Sequence, residues 1–318
     1  MTARLWSSGD LIVDRRLDYA EALAEAGDLD AAAELLHGAL RLAPGWAAGW
    51  FRLGEWCEAA GRAADAIAAW DAALAADPAD RLGAGPKRDL ARRVPLTETM
   101  PAAFVEALFD QYAPGFEDAL VGRLDYRAPE LLRAALGGPA RRYARALDLG
   151  CGTGLAGLAV RDICDWLGGC DISEGMLREA AAKGIYDRLE RRDLGRLGAG
   201  PERYDLILAA DVFTYLGALE RIIGWCAGAL APGGVLAFTV EACQPGEAPL
   251  TLRASRRFAH ARAHVEAILR AAGFVSVEIA EAVLRKDAGE DIAGLVIVAG
   301  GLTAPRARQG DGEDAVPA

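Results

Sequence analysis

The sequence Ala-Arg-Ala-Leu-Asp-Leu-Gly-Cys-Gly-Thr-Gly, residues 144–154, decides the fold prediction for the chain around it. Its apolar residues Ala146, Leu147 and Leu149 predict a short buried strand, which ends in three glycines at alternate positions. The apolar residues of 155–160 then predict a helix. A strand, a glycine turn and a helix open a nucleotide-binding βαβ unit, because glycine lets the backbone turn tightly and approach a ligand closely.

The carboxylate of Asp148, at the end of this strand, separates two kinds of nucleotide cofactor. The glycines of 152–157 also fit a dinucleotide fingerprint, so an NAD-dependent oxidoreductase stays open. However, an anion beside the turn would repel a pyrophosphate, whereas it would attract a cofactor that carries an ammonium and a sulfonium. The run 148–154 resembles the first motif of the class I S-adenosylmethionine (SAM) methyltransferases.

An acidic residue, Asp171, lies about 20 positions beyond the glycines, the spacing expected of a ribose-binding acid. Such an acid can equally cap a helix. The methyltransferase resemblance implies further contacts: Met176 against the adenine, Asp193 and the Leu194 backbone at the adenine edge, and 210–212 beside the transferable methyl. The Arg-Arg-Asp run at Asp193 can also be a solvated surface. The full set of implied SAM contacts is Tyr112, Asp148, Gly150, Cys151, Gly152, Gly154, Asp171, Ile172, Met176, Asp193, Leu194, Ala210, Asp211 and Val212.

The segment before the glycine turn predicts a helix that covers the cofactor. Phe104, Leu108 and Tyr112 recur at helical spacing, and so do Val105 and Phe109. This segment is similar to the N-terminal lid helices of small-molecule methyltransferases, which implies that Tyr112 lies against the cofactor and excludes water. The alternative is an ordinary amphipathic core helix.

Residues 241–257 predict a long connection at the carboxyl ends of the strands, suited to a substrate cover, and 258–272 predict a helix. That helix would carry His260 and His264 four positions apart, but without a further ligand nearby we expect no metal. His260 and Tyr215 are the candidate catalytic residues. The candidate contacts for an anionic acceptor are Arg127, Arg257 and Arg285.

The chain after residue 230 completes the predicted sheet. The Leu-x-Pro-Gly-Gly turn at 230–234 strongly resembles the methyltransferase pattern, and 273–280 and 292–299 predict a terminal hairpin. The expected fold class is an α/β Rossmann-like, seven-stranded methyltransferase sheet with an antiparallel last strand, preceded by an all-α domain.

That all-α domain is an internal repeat with a period of 34 residues. The offset pairs Gly27 with Gly61, Ala32 with Ala66, Leu36 with Trp70, Ala39 with Ala73, and Pro44 with Pro78. The period and positions resemble the tetratricopeptide repeat (TPR), a hairpin of two helices. Two hairpins are fewer than the three or so usually needed for a continuous core, so we expect them to pack on a following helix, on the rest of the protein or on a second subunit. The repeat is either a partner-binding face or a scaffold for the enzyme or a dimer.

Length and composition set the remaining expectations. The 318 residues predict two domains: TPR hairpins at 1–82, a linker at 83–100, a methyltransferase domain at 101–302 and a disordered tail at 303–318. A net charge of −11 argues against a nucleic-acid partner. No apolar run approaches the ~20 residues of a membrane span. The absence of an apolar leader and of paired CxxC cysteines predicts a cytoplasmic protein with reduced thiols.

The sequence therefore predicts a SAM-dependent methyltransferase that acts on a small molecule by in-line methyl transfer, with O-methylation expected. Carboxylate and phenolate acceptors would need no general base. Beside the NAD-dependent oxidoreductase, two alternatives remain. One is an adaptor whose SAM-binding domain is inactive, and the other is a protein methyltransferase recruited by the TPR.

Overall fold

The computed structural model describes residues 7–92, 100–113, 116–117, 124–137, 141–253, 255–287 and 289–302. The expected disordered tail and residues 93–99 of the expected linker lie outside these residues. Within them, no helix is long and apolar enough to cross a membrane.

The N-terminal part of the chain is a row of antiparallel helices. They are α1 Leu11–Glu25, α2 Leu29–Leu40, α3 Ala47–Ala59, α4 Ala63–Ala76 and α5 Ala84–Arg92. Asp10 and Asp28 cap the first two helices by accepting backbone N–H groups. The first four helices form the two hairpins that the 34-residue offset predicts.

Helix α5 covers the end of the two hairpins and so helps to bury their core. It packs against α4, and Asp80 begins it by accepting the backbone N–H groups of Ala84 at 2.6 Å and Gly85 at 3.0 Å. Lys87 reaches back to Glu58 at 2.8 Å. The segment expected as linker therefore supplies a fifth helix that covers the second hairpin.

Small residues set the distance between paired helices in this row. Gly54 of α3 lies against the indole of Trp70 on α4, and a Cβ at Gly54 would lie 2.3 Å from Trp70 Nε1. Trp70 is completely buried. The close approach therefore depends on the absence of a side chain at position 54.

We expect Gly54→Ala to lower the free energy of unfolding by about 1–3 kcal/mol, because the new methyl group must displace a buried ring. Gly38→Ala is the matched control, since a Cβ there has only the end of the Arg41 side chain near it, at 3.9 Å. Alanine at position 38 should instead stabilise α2 by about 0.5–1 kcal/mol. Urea unfolding of both variants measures this, and equal effects would contradict the packing argument.

The rest of the chain is a nine-stranded sheet with helices on both faces. Its strands are β1 Tyr143–Leu149, β2 Cys164–Asp171, β3 Arg188–Arg191, β4 Tyr204–Ala209, β5 Leu230–Ala242, β6 Leu250–Leu252, β7 Phe258–His260, β8 Phe274–Asp287 and β9 Glu290–Leu302. Its helices are α6 Ala102–Tyr112, α7 Ala128–Ala135, α8 Leu155–Val160, α9 Glu174–Ala182, α10 Glu220–Ala229 and α11 Arg262–Ala271.

The strand order places the carboxyl ends of the parallel strands at one edge. Strands β3-β2-β1-β4-β5 are parallel, and β9 runs antiparallel between β5 and β8. Successive strands are added on one side of β1 up to β3 and on its other side from β4 onward, and such a switch point in strand order opens a crevice for a ligand. Seven of the nine strands, in the order β3-β2-β1-β4-β5-β9-β8, match the predicted fold class with its antiparallel last strand, and β6 and β7 are additional to it.

The structure corrects the prediction for 241–272. Residues 258–260 are not helical: they form β7, which pairs antiparallel with β6 and parallel with the end of β5. The helix α11 begins only at Arg262. The long connection after β5 is thus a two-stranded hairpin, and the residues between its strands form its tip. The alternation of Phe258, Ala259 and His260 gave no periodicity long enough to show this strand.

Candidate active site

A cavity of about 340 Å³ opens at the carboxyl ends of β1, β2 and β4. This volume is within the range of small-molecule and cofactor sites. The residues that follow these three strands all line it, together with residues of α6. The sequence-predicted contacts that line it are Gly150, Cys151, Gly152, Asp171, Ile172, Asp193, Leu194, Ala210, Asp211 and Val212.

The glycine turn brings the ends of β1 and β4 together. Gly150 has a φ of +63°, and a Cβ there would lie 2.3 Å from Cγ2 of Val212. Gly152 has a φ of +54°, and no atom lies within 4 Å of where its Cβ would be, so the turn faces open space there. The backbone at the turn is therefore accessible to a ligand, as the sequence predicted.

Asp171, at the end of β2, is held in place by the same turn. Its Oδ2 accepts the Gly152 backbone N–H at 2.9 Å, and its Oδ1 accepts the Ser173 backbone N–H at 2.9 Å. Only 8 % of the residue is exposed, and that burial raises the pKa of the carboxyl despite these hydrogen bonds. Each oxygen keeps a lone pair that can accept a ligand hydroxyl.

Helix α6 forms one wall of the cavity and is tied to the segment after Asp171. Val105 and Phe109 line the cavity. Asp110 accepts the Ser173 hydroxyl at 2.5 Å and the Gly175 backbone N–H at 3.1 Å. The helix predicted as a lid is therefore present at the cavity wall, and the carboxylate of Asp110, which sequence reasoning missed, holds it to the start of α9.

Four predicted cofactor contacts do not line the cavity. Tyr112, expected against the cofactor, is the last residue of α6 and is 53 % exposed. Met176 is buried in α9. Gly154 is the N-cap of α8 with a φ of +96°, and the ring of Tyr186 occupies the space beside it. These positions correct the expectation, because none of the three residues lines the cavity.

Asp148 is the fourth of these and lies beneath the glycine turn. It is fully buried, and Tyr186 donates a hydrogen bond to its Oδ2 at 2.7 Å. Burial raises the pKa of this carboxyl to about 7, and the neighbouring charge of Asp171 adds to that effect. Asp148 can act on the cavity through its charge, although it does not reach its surface.

The side of the cavity nearest β4 and the β6–β7 hairpin carries Arg257 and Tyr215. Arg257 Nε donates to the Tyr215 hydroxyl at 3.2 Å, and Arg257 Nη1 lies 3.6 Å from Asp211 Oδ2 and 3.7 Å from Glu241 Oε1. That Nη1 makes no hydrogen bond within the described residues. Burial lowers the pKa of Arg257, but Tyr215, Asp211 and Glu241 raise it by more, so the guanidinium stays charged.

The two other predicted arginines lie elsewhere. Arg285, on β8, is only 2 % exposed, pairs with Asp211 at 2.9 Å and also pairs with Glu241. It does not line the cavity, and instead it holds Asp211, whose φ of +56° is unusual outside glycine. Arg127 is exposed before α7. Neither is placed to contact an acceptor directly.

His260 also lies outside the cavity lining. It is fully buried on β7, with Nε2 3.1 Å from the Gly217 carbonyl oxygen. Burial lowers its pKa to about 4. The structure therefore does not bring this candidate base to the cavity. Within the described residues, no group of three His, Cys, Asp or Glu side chains could hold a metal.

The pKa of His260 predicts how stability depends on pH. The unfolded chain takes up a proton near pH 6.5 and the folded protein only near pH 4. Between these values the unfolded state binds more protons than the folded state. The free energy of unfolding therefore decreases as the pH falls from about 6.5 to about 4. We expect wild type to lose about 1–2 kcal/mol more than His260→Gln between pH 7 and pH 5. Urea unfolding at both pH values measures it, with His264→Gln as the control.

The geometry defines a class of protein. A glycine turn after β1, an acid after β2, a second acid after β3 and an antiparallel last strand together define a class I methyltransferase. The donor set fits SAM: the carboxylates of Asp171 and Asp193 line the cavity, where they could accept hydrogen bonds from the ribose hydroxyls and adenine amino group of such a cofactor. Burial raises the pKa of the Asp148 and Asp171 carboxyls, so a bound cation would favour their charged forms. The apolar walls from α6 and Leu194 can exclude water.

Comparison with known proteins agrees with this class. Residues 147–236 match the methyltransferase domain family, and 13–56 match the tetratricopeptide repeat. Malonyl-[acyl-carrier protein] O-methyltransferase of Methylococcus capsulatus is 33% identical over 208 residues, which cover 60% of this chain and 73% of the relative. The enzyme of the same name from Enterobacter lignolyticus is 33% identical over 138 residues, 43% of this chain and 53% of the relative.

The chain thus spans about half the length of that second relative. Among solved structures, a chain of the Haloferax volcanii complex of a methyltransferase with its Trm112 activator has a TM-score of 0.50 at 18% identity, with coverage of 63% of this chain and 98% of that one. It supports the fold. The protein belongs to the SAM-dependent methyltransferases, and its cofactor is SAM. This finding removes the NAD-dependent oxidoreductase alternative.

Proposed function

We propose that this methyltransferase transfers the methyl group of SAM to a carboxylate oxygen of a small or carrier-bound acid. The single observation that carries the proposal is the charged guanidinium of Arg257, which lines the cavity wall beside the Tyr215 hydroxyl. A guanidinium is suited to a carboxylate because its planar N–H groups match the two oxygens.

The site residues divide between the two ligands. Asp171, Asp193 and the glycine turn would hold the cofactor, while Arg257 and Tyr215 would hold the acceptor beside 210–212. Tyr215 accepts from Arg257, so its own O–H is free to donate to an acceptor oxygen. Both acceptor residues therefore present donors, which is the arrangement an anion requires.

A carboxylate acceptor needs no general base. SAM supplies an electrophilic methyl on a sulfonium, and a carboxylate is already deprotonated at neutral pH. The chain needs only to orient the acceptor and exclude water, and the predicted catalytic residue His260 lies outside the cavity lining while Tyr215 lies within it. Relatives of the chain are named for acids: the malonyl-carrier enzymes and trans-aconitate 2-methyltransferase of Variovorax paradoxus, 37% identical over 101 residues.

The test is an assay of the full-length protein with methyl-labelled SAM. The acceptors are malonyl-acyl-carrier protein, trans-aconitate, a phenol, a primary amine and a bacterial protein extract. Methyl esters release volatile labelled methanol in alkali, whereas phenol ethers and methylamines do not. We expect alkali-labile label on an acid. Alkali-stable label would overturn the carboxylate proposal, label on extract proteins would favour the recruited protein methyltransferase, and no turnover of any acceptor would favour the adaptor.

A further inference from the structure

The tip of the β6–β7 hairpin carries arginines that point in different directions. The backbone closes the tip, with the Arg253 N–H donating to the Arg257 carbonyl at 3.0 Å and the Arg256 N–H donating to the Arg253 carbonyl at 2.9 Å. Arg253 pairs with Glu247 at 3.2 Å, and Arg257 lines the cavity. The side chain of Arg256, the residue before Arg257, takes a third direction, toward the N-terminal helices.

Arg256 reaches into the helical row at the N-terminus. Its Nη1 donates to the Leu82 carbonyl oxygen at 3.2 Å, just before α5. Its guanidinium lies 5.8 Å from the ring centroid of Phe51 on α3 and 4.9 Å from that of Phe104 on α6. Both rings are buried, which strengthens a cation–π contact because water is excluded. One side chain therefore joins the repeat, the lid helix and the hairpin.

The backbone of Arg256 shows that this arrangement is specific. Its φ is +61°, a conformation that costs a non-glycine residue energy unless its surroundings hold it. With the backbone in this conformation, the Arg256 side chain contacts the repeat while that of Arg257 lines the cavity. If Arg256 lost its contacts, the tip would keep its own backbone hydrogen bonds but lose these contacts with the helical row and α6, so the left-handed conformation that aims Arg257 would be held less firmly.

We propose that the TPR segment is a structural part of the acceptor site, and that Arg256 is a positioning residue that docks the hairpin on Leu82, Phe51 and Phe104 and so aims Arg257 into the cavity. This inference rests on the proposed role of Arg257 in acceptor binding. It assigns the repeat a task inside the enzyme, whether or not its outer faces also bind a partner.

The first arm of the test needs no acceptor. Limited trypsin digestion of the folded protein reports cleavage after Arg253 and Arg257, which remain in Arg256→Gln. We expect cleavage at these sites about 10-fold faster in Arg256→Gln and in Phe51→Leu, the ratio that a loss of ~1.4 kcal/mol gives. Phe51→Leu leaves the hairpin sequence intact. Arg92→Ala is the control, because Arg92 pairs with Asp71 inside the repeat. Unchanged cleavage in both variants would overturn the proposal.

The second arm uses trans-aconitate or malonyl-acyl-carrier protein, whichever the wild type methylates. We expect Arg256→Gln to raise KM for that acid about 10-fold, with partial rescue in Arg256→Lys and the same calorimetric Kd for S-adenosylhomocysteine as wild type. A general loss of structure would weaken cofactor binding too. If wild type methylates no acid, the proposed function fails while the trypsin arm still decides the docking.

Discussion

Asp171→Ala is expected to lower the affinity for SAM by about 100-fold or more. If the carboxylate accepts two ribose hydroxyls, each charged hydrogen bond contributes about 1.5–3 kcal/mol, and 1.4 kcal/mol corresponds to a factor of ten. The substitution also removes the acceptors of the Gly152 and Ser173 N–H groups, so the turn loses its support. Isothermal titration calorimetry with SAM and with S-adenosylhomocysteine measures the effect.

Two variants separate the ribose contact from a general effect on the strand. Asp165→Ala removes an acid from the other end of the same strand β2, where Asp165 pairs with Arg142 on the surface, and it should bind SAM as wild type does. Asp171→Asn keeps the shape but loses the charge, so its affinity should fall between the two. Wild-type affinity in Asp171→Ala would refute the ribose role of this residue.

Arg257→Ala is expected to lower kcat/KM for the methylated acid by about 100-fold or more, with cofactor affinity unchanged. Two charge-assisted hydrogen bonds from one guanidinium to a carboxylate account for this magnitude at about 1.5–3 kcal/mol each. Asp211 and Glu241 keep their pairs with Arg285, so the loss of Arg257 leaves neither carboxylate unpaired. Steady-state rates against acid concentration provide the measurement.

Arg257→Lys and Arg262→Ala complete this experiment. Lysine keeps the positive charge but lacks the planar pair of donors, so it should recover only part of the activity. Arg262 is exposed at the start of α11, where it donates to the Ile279 carbonyl oxygen at 2.9 Å, and its removal should not change the rate. An equal loss in Arg262→Ala, or none in Arg257→Ala, would argue against acceptor binding by Arg257.

The cofactor half of the site was largely predictable because its signals are local. The glycines, Asp171, Asp193 and the 210–212 segment each follow directly after a strand. Parallel strands carry their carboxyl ends to one edge, so residues at strand ends meet without further information. The prediction was wrong where the contact depended on which face of a helix a residue occupies, as well as on which helix it belongs to. Tyr112 lies on the same helix as Phe109, which does line the cavity.

The acceptor half could not be predicted to the same degree. Arg127, Arg257 and Arg285 were equivalent in the sequence, and only the fold distinguishes the one in the cavity from one on the surface and one buried behind Asp211. The β6–β7 hairpin was missed because three-residue strands carry no readable periodicity. Its pairing with the end of β5 also removed His260 from the helix on which it was expected.

By itself the sequence determined the sheet, the repeat and the edge of the sheet at which the predicted cofactor contacts meet. Strand periodicity, the 34-residue offset and the glycine turn are patterns of residues that lie close together in the chain. The tertiary structure decided which side chains face the acceptor and what holds them there. Arg256 meets Leu82 across 174 positions and Asp110 meets Ser173 across 63. No local pattern encodes such contacts, since they exist only after the helices and the sheet have packed against each other.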